Sequence, residues 1–98
     1  MEIAVAGRDE FVQGFRLAGV RKTVTSDIAN LEAAVSRILD DASVGILILN
    51  MEDMARMGHA MRRRLDSVPR PVVIAVGRKE EEDLRAKIRR AIGVDLLK

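Results

Sequence analysis

The chain has 98 residues, enough for one domain and too few for a two-lobed enzyme with a substrate cleft between lobes. It contains no cysteine, which excludes disulfides, thiolate metal sites and cysteine nucleophiles. Seventeen Lys and Arg against fifteen Asp and Glu leave a net charge of +2, without the concentrated basic excess that argues for nucleic acid. The 48% hydrophobic and 33% charged content fits a folded domain rather than a disordered tail. Phe11 and Phe15 are the only aromatic residues, so the core must rely on Ile, Val, Leu, Ala and Met. The opening Met1-Glu2-Ile3-Ala4-Val5 lacks the basic lead of a secretory signal. Val44–Leu49, the longest apolar run, is far too short to span a bilayer. Together these features predict a soluble intracellular protein. Scarce Asn and Gln beside abundant Arg, Glu and Lys lean towards a thermophilic source.

In chain order, Ile3–Gly7 reads as a buried strand closed by glycine. Asp9 is the expected N-cap of a helix carrying Phe11, Val12, Phe15 and Ala18 at helical spacing, ended by Gly19. Gly14 lies inside that helix at a cost of roughly 1 kcal/mol against alanine. Residues 20–25 suit a short edge strand. Ser26 or Asp27 can cap a second helix with the stripe Ile28, Leu31, Val35, Ile38. Val44–Leu49 is continuously apolar, as a central parallel strand should be. A third helix is expected over about Glu52 to Asp66, with Met54, Met57, Met61 and Leu65 inward. Val72–Val76 is a further apolar strand. Glu80-Glu81-Glu82-Asp83 opens the last helix and Arg89-Arg90 closes it, which suits the helix dipole; Gly93 is the expected C′ residue. The order βαβαβαβα predicts a small open parallel sheet of four strands with helices on both faces, receiver-like or Rossmann-like. It fills residues 1–98 as a single α/β domain. Whether the last helix, about 80–92, packs on the body or extends from it stays open.

Such sheets bind ligands at the carboxyl ends of their strands. Gly7 is alone there, followed by Arg8-Asp9-Glu10, which is unlike a glycine-rich pyrophosphate turn. A phosphate-accepting receiver would need an aspartate after the third strand, where Asn50 stands; an amide is not a carboxylate nucleophile. Asp9, Glu10 and Lys79 could mimic its other groups. A receiver-like or small-ligand-binding signalling domain is therefore the alternative reading. His59 is the lone histidine, on a predicted helix between Arg56 and Arg62, and reads as a surface residue. No metal-ligand spacing and no nucleophile elbow are present, so no catalytic, metal or cofactor-binding residue is assigned. Met54 and Met61 read as core, with Met51 and Met57 open between core and contact surface. Arg62-Arg63-Arg64 reads as a solvated face, with a minor nucleic-acid role through Arg56 and Arg62–Arg64 as a third possibility.

Two segments carry a specific likeness. Ile3-Ala4-Val5-Ala6-Gly7 followed by Gly14-Phe15-Arg16-Leu17-Ala18-Gly19-Val20 resembles the opening of the F subunits of archaeal A-type and related V-type rotary ATPases. Arg89-Arg90-Ala91-Ile92-Gly93-Val94-Asp95-Leu96 resembles that family's closing segment. The chain departs from the family at Leu49-Asn50-Met51-Glu52 and at Val76-Gly77-Arg78-Lys79, where Ile-Thr-Glu and Ile-Pro-Ser-Lys are common. The resemblance implies a non-catalytic central-stalk subunit without cofactor. It would bind the coiled-coil rotor subunit and modulate the catalytic head. The complex would couple proton or sodium movement to ATP synthesis or hydrolysis, with this subunit peripheral on the cytoplasmic side and touching the membrane only indirectly. On that reading the contact candidates are Arg78, Lys79, Arg85, Arg89 and Arg90.

Overall fold

A computed structural model describes the backbone of residues 1–97 and the side chains of residues 1–92. The strands are β1 (Glu2–Gly7), β2 (Lys22–Thr25), β3 (Val44–Asn50) and β4 (Val72–Val76). The helices are α1 (Asp9–Ala18), α2 (Ile28–Leu39), α3 (Met51–Ala55), α4 (His59–Ser67) and α5 (Arg78–Leu97). The four strands form one parallel sheet in the order β2-β1-β3-β4. Val5 sits beside Thr23 on one side and Ile48 on the other, and Ile48 beside Ile74.

The period-two alternation of the strands divides the core into two layers. Ala4, Ala6, Leu47 and Leu49 meet Leu31, Val35, Ile38, Met57 and Leu65 from α2, α4 and the turn before α4. Val5, Ile48 and Val76 meet Phe11, Val12, Phe15 and Ile88 from α1 and α5. The two phenyl rings lie tilted at 5.1 Å between centroids. The expected four-strand α/β architecture is therefore the observed one. β3 is buried on both faces, as its unbroken apolar run requires. β4 is equally apolar in sequence but lies at the sheet edge, and Val72 is 56% exposed.

Several boundaries differ from the sequence reading. Arg8 occupies the N-cap of α1 without a side-chain bond, and Asp9 is the first helical residue, where its charge favours the helix dipole. Asp27, rather than Ser26, caps α2 through a bond from the Asn30 N–H. Ile28 is 41% exposed, so the buried stripe begins at Leu31. The helix expected over Glu52 to Asp66 is broken into α3 and α4, because the Gly58 N–H bonds to the Glu32 carboxylate of α2 at 2.7 Å. The break turns Met57 into the core. The last helix starts at Arg78 and passes through Gly93 to Leu97.

Candidate functional site

In the sheet order β2-β1-β3-β4 the chain leaves β1 towards one edge and returns through β3 towards the other. The gap between the carboxyl ends of β1 and β3 is thus the switch point where open α/β sheets place their ligands. A cleft of about 730 Å³ opens there. Arg8, Asp9, Glu10 and Phe11 line it from the start of α1. Asn50, Glu52 and Asp53 line it from the end of β3 and α3, and Gly77, Arg78 and Glu81 from the start of α5.

The local geometry follows from Asn50. Its side-chain oxygen accepts the Glu52 and Asp53 N–H groups at 2.9 and 3.1 Å, so the chain turns from β3 directly into α3. That turn drives Asp53 inward until it is only 3% exposed. Gly7 lies beside it: a Cβ there would press on the Phe11 ring at 3.0 Å and meet an Asp53 oxygen at an ordinary contact of 3.7 Å. The Arg8 guanidinium approaches the Asp53 carboxylate at 3.2 Å, yet neither carboxylate oxygen receives a hydrogen bond. Among the described residues no three His, Asp or Glu side chains converge closely enough to hold a metal ion.

The five arginines and lysines proposed for contact all lie on α5. Arg78 stands at the cleft, and Lys79, Arg89 and Arg90 are exposed. Arg85 is half-buried, with its guanidinium over Gly14 of α1 and its Nε without an acceptor. The opposite side of the helix is apolar: Ile88 is buried, and Leu84 and Ile92 pack against the α1 layer. Residues 78–92 thus lie on the body, with an outer side that is acidic over Glu80, Glu82 and Asp83 and basic over Lys87, Arg89 and Arg90.

The remaining candidates are scattered. His59, Arg56, Arg62 and Arg63 are exposed, whereas Arg64 bonds Ser36 and Asp40 at 2.8 Å each. Met57 is buried, Met54 and Met61 are half-buried against the core, and Met51 is 48% exposed. Sequence reasoning does not single out Asp53 and places it only among the residues following the third strand. Its one sequence signal is its position three residues after the capping Asn50.

Residues 3–92 match the family described as ATP synthase (F/14-kDa) subunit. The chain is 46% identical to the F subunit of the A-type ATP synthase of Methanocella arvoryzae and 45% identical to that of Methanosarcina acetivorans, over the whole of each chain. It is 39% identical to the corresponding A-type F subunit of Halorubrum lacusprofundi, over 98% of this chain and 94% of that one. With a full-length match at this identity, the chain belongs to the family of ATP synthase (F/14-kDa) subunits, as an accessory component and not the catalytic one.

Proposed function

We propose that this chain is a central-stalk subunit of a rotary A-type ATP synthase, bound to the coiled-coil rotor subunit and modulating the catalytic head. The observation that carries the reading is the two-sided character of α5. One side is held to α1 by Leu84, Ile88 and Ile92, and the other carries exposed acids near its start (Glu80, Glu82, Asp83) and exposed bases further along (Lys87, Arg89, Arg90). The basic stretch of that outer side, Lys87, Arg89 and Arg90, suits an acidic stretch of a partner helix. No helix among the described residues is long and apolar enough to cross a membrane, which agrees with a peripheral place in the complex. On this reading Arg78 and Arg85 contribute less to the contact, since one faces the cleft and the other packs inward. The receiver-like alternative is weakened by Asn50: it stands at the acceptor position, and its oxygen is committed to capping α3.

The test is reconstitution. Adding this chain to an assembly of catalytic head and rotor subunit should change the rate of ATP hydrolysis, while the chain alone hydrolyses none. An unchanged rate, with the chain absent from the repurified assembly, would exclude the role.

A further inference from the structure

We infer that the cleft between β1 and β3 is a binding site for an organic cation, a primary ammonium or guanidinium group received by Asp53. The buried carboxylate is the first reason. Asp53 is nearly fully enclosed, lines the cleft and has no hydrogen bond to either oxygen. An ionised carboxylate can accept several hydrogen bonds, and burying it with that capacity unused is costly. Its one compensating charge, Arg8, reaches a single oxygen from a side chain that is 49% exposed. Arg8 can therefore swing out to the rim and yield its place to a guest.

The charge of the walls is the second reason. Five carboxylates (Asp9, Glu10, Glu52, Asp53, Glu81) face two guanidiniums (Arg8, Arg78), an excess larger than the partial positive charges of the three helix N-termini that open there, so the cleft is net negative and disfavours phosphates and carboxylates. The spread of those acids decides between kinds of cation. No three of them converge as a metal ion requires. Acids distributed around a rim, with one buried at the floor beside Phe11, suit separated N–H donors joined by methylenes. The cleft's volume lies within the range of small-molecule sites.

The guest can come from a free polyamine or from a lysine or arginine of a neighbouring subunit. Titration of the isolated chain with spermidine at low salt, followed through the amide signals of Gly7, Asn50 and Asp53, tests the shared chemistry. Saturable binding that weakens with salt is expected. Asp53→Asn should weaken it by about tenfold, the scale of one lost charge-assisted contact. Arg8→Ala should tighten it, because the competing cation is gone. A gain larger than that from Arg78→Ala, which removes the same charge from the same cleft, is an outcome a merely structural Arg8–Asp53 pair does not produce, and it stands even where Asp53→Asn unfolds. No saturable binding, equal affinity in folded Asp53→Asn, or no greater gain in Arg8→Ala than in Arg78→Ala would overturn the inference. A second arm, which rests on the stalk reading, repeats the titration on the complex with the rotor subunit. Retained spermidine binding identifies a free polyamine as the guest. Exclusion of spermidine, with weaker subunit pairing in Asp53→Asn, identifies a partner's basic side chain. Because the first arm needs no partner, a failure of the stalk reading leaves it intact.

Discussion

Arg85 of α5 lies over Gly14 of α1 so closely that a Cβ at Gly14 would stand 2.9 Å from its Cδ and 3.1 Å from its Cζ. The glycine that looks like a defect in a helix is the seat of another helix's side chain. Gly14→Ala gains about 1 kcal/mol of helix propensity. In the wild-type background that gain should be offset by displacing Arg85. In an Arg85→Ala background it should appear in full. A double-mutant cycle in urea should therefore give a coupling of about 0.5 kcal/mol or more between the two positions; a zero coupling would mean that the two do not touch in solution.

Gly19 holds the same two helices together one turn further on. Its φ is +114°, in the region that favours glycine, and its N–H closes α1 by bonding to Arg16. A Cβ there would stand 2.6 Å from the Ile92 Cδ1. Gly19→Ala is expected to cost about 2 kcal/mol, from backbone strain plus this collision. Ile92→Ala should restore part of it, because only the collision depends on Ile92. Thermal unfolding of the single and double variants separates the two contributions.

Asn50 links the end of β3 to α3 through its two accepted bonds. Asn50→Ala should cost about 1 kcal/mol. Asn50→Asp keeps the acceptor and adds a charge that suits the start of a helix, so its stability should stay within about 0.5 kcal/mol of wild type. Denaturant midpoints of the two variants check this contrast.

The sequence patterns and the structure agree on the order and kind of the elements. Alternating strand and helix periods locate all four strands and the parallel architecture, while the cap of α2 is narrowed only to Ser26 or Asp27 and that of α1 is placed one residue late, at Asp9 instead of Arg8. Other misreadings fall where a distant segment intervenes. Glu52 to Asp66 reads as one helix by its spacing, and it divides at Gly58, whose N–H bonds to the Glu32 carboxylate of α2. The burial of Asp53 depends on β1 and β3 being neighbours, which brings Gly7 and Arg8 beside it. The edge position of β4 follows from strand order, which its composition does not encode. The passage from acids to bases along α5 is legible from the sequence, but the inward turn of Arg85 depends on the small residue facing it.

Asp41 gives the fold an acid-sensitive joint. Its carboxylate bonds the Lys22 ammonium at 2.8 Å and accepts the Ser43 hydroxyl and N–H at 2.7 and 2.9 Å. Lys22 first, then Ser43, hold its pKa well below the ordinary aspartate range. A lowered folded pKa means the unfolded chain binds more protons as the medium becomes acidic. The stabilisation is therefore full above the unfolded value of about 3.9 and is lost as pH falls towards the folded value. Asp41→Asn should be less stable than wild type near neutrality, with the difference shrinking as pH drops below about 4. Urea midpoints across that range check the convergence.

The central claim is that this accessory subunit works by holding the rotor's coiled coil, with the outer side of α5 in the contact. The direct measurement is a calorimetric titration of the coiled-coil rotor subunit with wild-type chain and with the Arg89→Glu, Arg90→Glu double variant. Saturable binding by the wild type, weakened at least about tenfold in the variant, is the predicted result. No heat of binding from the folded wild-type chain would contradict the rotor assignment, and equal affinity in the variant would remove α5's cations from the contact.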